Sequence, residues 1–228
     1  MSDPSNSSEY LLIPETSRIR PALASSGQRW QSLSRAMHYD RTVIAYHGCE
    51  AETAERILAG EPFRRSENDF DWLGHGVYLW EYGIDRALRW AQKKCTAPAV
   101  VGAIVQLGNC FDLLDTRATD ELAQWAQLFA DTVHDAGMPR NVGSTPDLGG
   151  RRLDCAIVNY ALEQLAEGGT SYDTVRCAFV EGPPVFERGE ARTEIRRESH
   201  VQIAVRNASC IVGTFRPHLA GSRGGNAP

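Results

Sequence analysis

Three short stretches of this 228-residue sequence combine residue types that could bind a ligand and act on it. The first is Tyr46-His47-Gly48, which ends an apolar run. A glycine lets a ligand approach the backbone amide, and a neighbouring histidine can donate or accept a hydrogen bond. A histidine at a strand end can equally be structural, so this stretch needs support from the other two.

The second stretch is the segment 69–81, which reads D-F-D-W-L-G-H-G-V-Y-L-W-E. Gly74 and Gly76 flank a histidine, and Tyr78 follows one residue after the second glycine. The glycines permit close approach of a ligand to the backbone, and the tyrosine offers a ring for stacking. A simple tight turn and a core tyrosine are the alternatives.

The third stretch is a late run of strand-forming residues that contains Gln202. Alternation with a period of two places residues 201, 203 and 205, which are all apolar, on one face, and Gln202 on the other. Its amide offers both a hydrogen-bond donor and an acceptor in the middle of the strand. On the pattern alone, a half-exposed strand residue is the alternative.

Charge and apolar content restrict the class of protein. The sequence has 24 Lys and Arg against 29 Asp and Glu, a net charge of −5, which argues against nucleic-acid binding chiefly through phosphate neutralisation. No stretch approaches the roughly 20 apolar residues that span a bilayer, and residues 1–20 lack the apolar core of a signal peptide. We therefore expect a cytoplasmic protein without a membrane partner.

The six cysteines predict neither a metal centre nor a disulfide framework. They are dispersed without any C-x-x-C pair, whereas a zinc site needs four converging ligands. Cys155, Cys177 and Cys210 lie in apolar runs, where a reduced thiol behaves as a small hydrophobic group. We expect buried, reduced thiols and no metal.

Composition divides the chain into a flexible N-terminal lead (1–38), one folded domain (39–218) and a disordered tail (219–228). Within the domain, β-rich runs predict strands at 43–47, 100–107, 176–180, 201–206 and 210–215. Apolar residues at helical spacing predict helices around 54–58, 84–91, 122–133 and 156–165, the last ended by Gly168 and Gly169. Because strands and helices do not alternate one for one, an α+β fold is favoured over a doubly wound parallel sheet.

Taken together and in this order, the three stretches resemble the ADP-ribosyltransferase superfamily, in its diphtheria-toxin and poly-ADP-ribose-polymerase branch with the H-Y-[E] signature. Residues 47–49 match the H-G-[S/T] strand, and residues 74–79 match the G-x-G-[IV]-Y-F turn. Residues 202–211 match the closing strand, E-Y-x-V-Y-D-x-x-Q-[VI], without a gap. The resemblance extends over about 43–215, although the stretch between Cys95 and Val175 carries no matching motif.

The resemblance implies a split antiparallel β-sheet core flanked by helices, with NAD as the substrate and no metal. Catalysis would fall to His47, Tyr78 and Gln202. Gly48 and Cys49 would hold the nicotinamide carboxamide, Tyr78 and Trp90 would stack on its ring, and His47 would bind the adenosine ribose. The same resemblance adds two further residues to the NAD site, Gly76 and Ala87.

Two departures from the family pattern affect the expected activity. Cys49 replaces a hydroxyl by a thiol, which is a weaker hydrogen-bond partner, and Gln202 replaces the catalytic glutamate. Within the family, loss of this glutamate goes with transfer of single ADP-ribose units or with inactivity. Glu198, four residues earlier on the same predicted strand face and roughly 13 Å away, is the alternative carboxylate.

The sequence therefore predicts an NAD-dependent mono-ADP-ribosyltransferase that modifies a macromolecular acceptor, protein or nucleic acid. A toxin or effector, with an antitoxin or immunity protein as partner, suits a catalytic domain with no evident regulatory module. Three alternatives remain open: an inactive NAD- or ADP-ribose-binding module, an RNA 2′-phosphotransferase and an NAD glycohydrolase. The charged segment 181–197 is predicted to be a long exposed loop that contacts the acceptor, or else a solvated hairpin.

Overall fold

The computed structural model describes residues 38–133, 137–144 and 147–218. The predicted lead, apart from His38, and the predicted tail lie outside these residues. The strands are β1 (His38–Glu50), β2 (Val77–Glu81), β3 (Pro98–Asp112), β4 (Val142–Ser144), β5 (Asp147–Gly150), β6 (Thr174–Phe179), β7 (Glu187–Arg188), β8 (Ala191–Arg192), β9 (His200–Val205) and β10 (Ile211–Phe215). The helices are α1 (Ala51–Leu58), α2 (Ile84–Lys94), α3 (Thr116–Val133) and α4 (Arg152–Glu167), with a short 3-10 turn at Ala208–Cys210.

The main sheet has six strands in the order β1-β2-β9-β6-β3-β10, and β1 also pairs with β3. Five strands therefore pair in a ring, and β10 extends from β3. The fold is α+β as predicted, but the sheet is mixed, because β3 and β6 pair in parallel at Cys110↔Thr174 and the two following positions. The prediction of an antiparallel sheet is wrong at this pair: a parallel pair needs a long crossover, which the segment with α3 and α4 supplies.

The core on the inner side of the strand ring follows from alternation along the strands. Val43 and Ala45 of β1, Leu79 of β2 and Ile203 and Val205 of β9 are almost fully buried in one apolar cluster. Since successive strand residues point to opposite faces, their neighbours Tyr46, Trp80 and Gln202 project to the other face. This division assigns each candidate residue on β1, β2 and β9 to a face.

The predicted elements correspond closely to the observed ones. All five predicted strands and all four predicted helices have counterparts, and α4 ends at Glu167, followed by Gly168 and then by Gly169 with φ of +92°. Strand β2 was not predicted as a strand, and neither was the hairpin β4–β5; the hairpin β7–β8 corresponds to the solvated hairpin that was the alternative for the segment 181–197. Among the residues the structure describes, no helix has the length and apolar character needed to cross a membrane.

Candidate functional site

His47 lies where β1 and β2 part. The two strands pair only at Ala45↔Glu81 and Tyr46↔Trp80, after which β1 continues to Glu50 without β2. The His47 Nδ1 atom is 2.9 Å from the Tyr78 carbonyl oxygen, so the ring bridges the gap between the strands. Burial lowers the pKa of His47, which favours the neutral ring.

Gly48 and Ala87, both predicted to bind NAD, do lie together. A Cβ atom on Gly48 would come within 2.3 Å of the Ala87 carbonyl oxygen and 3.2 Å of the Ala91 Cβ. Helix α2 therefore crosses β1 at the one residue that has no side chain to keep it away. Gly48 is required for this packing, whatever its backbone also binds.

The ring of Trp90 packs at a tilt against Trp80, which the sequence did not identify as a candidate. Its ring centroid is 5.9 Å from that of Trp80, with an angle of 50° between the planes. Trp80 is buried and lies directly opposite Gln202 in the β2–β9 pair. The signal that could have identified it is its position two residues after Tyr78, on the same face of a strand.

Tyr78 belongs to a different cluster from Trp90. Its hydroxyl donates a hydrogen bond to the Gly74 carbonyl oxygen and accepts one from the Leu73 backbone N–H, each at 2.7 Å. Burial raises the pKa of Tyr78 strongly. Its ring packs in the cluster that contains Val158, whereas Trp90 contacts Trp80. That Tyr78 and Trp90 stack on one nicotinamide ring stays a prediction. Tyr78 holds the glycine turn in place.

Gly76 and Cys49 also have structural roles. A Cβ on Gly76 would meet the Val205 carbonyl oxygen at 3.0 Å, so the glycine allows the turn to lie against β9. Cys49 is buried in an apolar cluster with Ile57 and Val101, and burial raises the pKa of its thiol to about 11. This agrees with a reduced core thiol, which alternation places on the face of β1 opposite to that of Gly48.

Gln202 is 7% exposed, and it lies between Trp80 on β2 and Cys177 on β6. Its Oε1 atom accepts no hydrogen bond within the described part of the chain. His47 lies on the other face of the sheet, with Val43 and Ala45. Gln202 and His47 therefore face opposite sides of the sheet, because the register pairs Gln202 with Trp80 and not with Leu79.

Next to Gln202 on the same face of β9 is His200, whose side chain is 4% exposed. Its Nδ1 atom lies 2.7 Å from the Glu198 carbonyl oxygen and 3.4 Å from Glu181 Oε2. Arg86 of α2 binds the same Glu181 oxygen at 2.5 Å. Sequence analysis did not select these residues, because the segments that carry them are far apart in the chain.

Glu198 does not lie on β9, although its role as the alternative carboxylate required a place on that strand. It occupies the turn before β9, which begins at His200, and its backbone N–H donates to the Glu181 carbonyl oxygen at 3.1 Å. The prediction of a shared strand face is wrong, because the strand does not extend so far. The segment 181–197 forms the hairpin of β7 and β8, in which Phe186 and Ile195 are exposed.

The site is unusual in its buried polar atoms. Six such side-chain atoms form no hydrogen bond within the described residues, and four of them belong to neighbouring side chains: Trp80 Nε1, Arg86 Nε, His200 Nε2 and Gln202 Oε1. We refer to these four residues together with Glu181 as the polar cluster. Buried polar atoms in folded proteins are nearly always paired, so this concentration points to a place where a polar ligand binds.

Comparisons with protein-family models, with curated proteins and with solved structures find no match for this chain. Function is therefore inferred from the residues of the site itself. Within the ranges 38–133, 137–144 and 147–218, no group of three or more His, Cys, Asp or Glu side chains is arranged to hold a metal ion.

Proposed function

We propose that the protein transfers a single ADP-ribose unit from NAD to a macromolecular acceptor. The observation that carries the proposal is the Gln202 amide, which is buried with an acceptor oxygen that has no donor among the described residues. A ribose hydroxyl is a donor that would satisfy this oxygen. The other partnerless atoms of the polar cluster extend the same polar surface.

The surroundings of Gln202 suit the reaction. Cleavage of the bond between ribose and nicotinamide passes through a transition state with positive charge on the ribose. Trp80 and Trp90 offer aromatic faces to a planar, initially cationic ring. The Gly48 backbone, beside Ala87, is the proposed contact for the carboxamide.

Replacement of glutamate by glutamine favours transfer of one unit over chain formation. An amide can accept a hydrogen bond from a ribose hydroxyl and orient it, but it cannot take up the proton. A second ADP-ribose unit would have to be attached to a ribose hydroxyl of the first, and Gln202 has no carboxylate with which to hold and deprotonate that hydroxyl. We therefore expect modification to stop after one unit.

Incubation with NAD labelled in the adenylate, together with a cell extract, tests the proposal. We expect release of free nicotinamide and transfer of label to the protein, RNA or DNA fraction, with single units after digestion. Gln202→Ala should lower turnover by about 10 to 1,000-fold with little change in NAD affinity, because a positioned group acts mainly in the transition state.

Gln106→Ala is the matched control, since Gln106 is an exposed glutamine in the middle of β3. It should leave turnover unchanged. Label that never enters a product, with no nicotinamide released, would refute the proposal. If NAD nevertheless bound, measured by calorimetry, the inactive NAD-binding module would be the function, and nicotinamide release without labelled acceptor would identify an NAD glycohydrolase.

A further inference from the structure

The partnerless nitrogen of His200 has a defined chemical state. Its Nδ1 atom lies 2.7 Å from the Glu198 backbone carbonyl oxygen. A carbonyl oxygen can only accept, so Nδ1 must carry the hydrogen, and in the neutral ring Nε2 then carries the lone pair. The Nε2 atom is buried and has no donor in the described residues. It is a proton acceptor that is not used within the fold.

Burial and one neighbouring cation favour the neutral ring of His200, whereas two neighbouring carboxylates stabilise the protonated ring when it forms. Burial lowers the pKa of His200, and Arg86 on α2 acts in the same direction, while Glu181 and Glu198 oppose them. The aromatic rings nearest to the imidazole, within 5.8–6.5 Å, belong to Trp72, Trp80 and Phe179. A second cation, Arg151, stacks on the Trp72 and Phe179 rings.

The geometry also gives an acceptor a route to His200. An open cavity of about 250 Å³ is lined by residues 81–86, Arg89 and residues 197–200. A cavity of this volume can hold one amino-acid side chain of an acceptor, or one hydroxyl of a nucleotide together with the atoms bonded to it. His200 lines this cavity, and Gln202, whose expected partner is the ribose, lies two residues further along the same face of β9.

Resting on the proposed function, we propose that His200 is the general base of the transfer step. The bond between C1′ of the ribose and the nicotinamide nitrogen breaks, and its electron pair leaves with nicotinamide, which becomes neutral. The acceptor heteroatom forms a new bond to C1′, and its proton passes to His200 Nε2. The resulting imidazolium lies 3.4 Å from Glu181, which stabilises it until the proton is released to water.

As a general base, His200 supplies the proton acceptor that the Gln202 amide cannot provide. The glutamine orients the ribose, while the base is supplied two residues earlier on the same strand face. Glu181 and Arg86 are positioning residues: Arg86 holds the carboxylate, and the carboxylate lies against the protonated Nδ1. The arrangement needs no carboxylate at position 202.

His200→Asn removes the base but keeps an N–H that can donate to the Glu198 carbonyl. We expect transfer to fall by about 10² to 10⁴-fold, the usual contribution of a general base, with little change in NAD affinity. Azide, an anionic nucleophile with no proton to remove, should restore nicotinamide release at least about tenfold in this variant and much less in Gln202→Ala. His218→Asn, at an exposed histidine outside the site, is the matched control.

The pH profile separates a base from a merely structural histidine. Since a lowered pKa leaves His200 neutral at pH 7, wild-type turnover should fall only as the pH drops below 6.5. Glu181→Gln removes the charge that favours imidazolium and should move this acidic limb to lower pH. Arg86→Gln removes the opposing charge and should move it to higher pH. These two variants keep the test available if His200→Asn does not fold.

Nitrogen-15 NMR of His200 gives a readout that does not depend on turnover, with hydrogen expected on Nδ1. If the wild-type protein is active and His200→Asn keeps the same turnover, the base assignment is overturned and the proposed function stands. The same holds if azide does not rescue His200→Asn. A wild-type protein that releases no nicotinamide would overturn the proposed function itself. If NMR instead found the hydrogen on Nε2, the base assignment would be overturned without any measurement of turnover.

Discussion

Substitution of Gly48 by alanine tests whether this glycine is required by the fold, by a ligand or by both. In the structure, the missing side chain lets α2 approach β1 directly, and the new Cβ would lie 2.3 Å from the Ala87 carbonyl oxygen. The added Cβ is fixed to the backbone of β1 and the oxygen belongs to the backbone of α2, so no flexible side chain can move aside. The strand and the helix themselves must separate.

The size of the effect follows from this distance. Contacts of a Cβ below 3.0 Å are essentially never found, so the gap between α2 and β1 must widen by at least about 0.7 Å. Overpacking of this kind in a well-packed core costs about 1–3 kcal/mol. The shift would carry Ala87 and Trp90 away from the sheet face that holds Gln202, so turnover should fall together with the free energy of unfolding.

Urea denaturation monitored by circular dichroism measures the change in the free energy of unfolding, and nicotinamide release measures the activity. Gly149→Ala is the control, because Gly149 has no atom within 4 Å of its added Cβ and no strained φ. That variant should be neutral within about 0.5 kcal/mol. A Gly48→Ala protein of unchanged stability that no longer binds NAD would show that the glycine serves the ligand and would refute the packing argument.

Two further predictions concern buried polar groups. Tyr78→Phe leaves two backbone groups at residues 73–74 without their partner and should cost about 1–3 kcal/mol in urea denaturation; an effect no larger than that of Tyr82→Phe, at an exposed tyrosine, would contradict this. Arg176→Met leaves the buried carboxylate of Asp112 without its cation and leaves Glu81 with only the half-exposed Arg41, and it should cost about 3–5 kcal/mol by the same measurement. The exposed ion pairs with Glu52 and Glu61 that are lost in Arg56→Met should together contribute less than about 1 kcal/mol, and a loss equal to that of Arg176→Met would refute the reasoning.

The strands and helices of the fold could be predicted because their signals are local. Four helices with apolar residues at helical spacing, and five runs rich in β-branched residues, appear where expected. Strand β2 was missed because its sequence, VYLWE, lies beside the glycine turn and lacks clear alternation. The parallel pairing of β3 with β6 could not be predicted, since pairing between distant segments leaves no local pattern.

The candidate site was predicted in its positions more than in its contacts. Gln202 was predicted in the middle of a strand, where the structure has it. That Gly48 lies beside Ala87 was not predicted, although both were assigned to the NAD site. The contact of Trp90 with Trp80 could not be predicted, because it depends on which helix covers which part of β2. Glu181 and His200 were missed because a charged loop and a strand end give no signal until the fold joins them.

The charges of the polar cluster give a physical reason for a glutamine at position 202. Arg86 and Glu181 form a buried pair at 2.5 Å, and His200 is neutral when its pKa is lowered, so the cluster as it stands is balanced. A carboxylate at position 202 would add a second negative charge to a site walled by Trp80. Burial and the charge of Glu181 would then favour protonation, either of that carboxyl group or of His200 Nε2. An active base at position 200 and an ionised glutamate at position 202 therefore compete for the same proton, and the amide leaves His200 free to act.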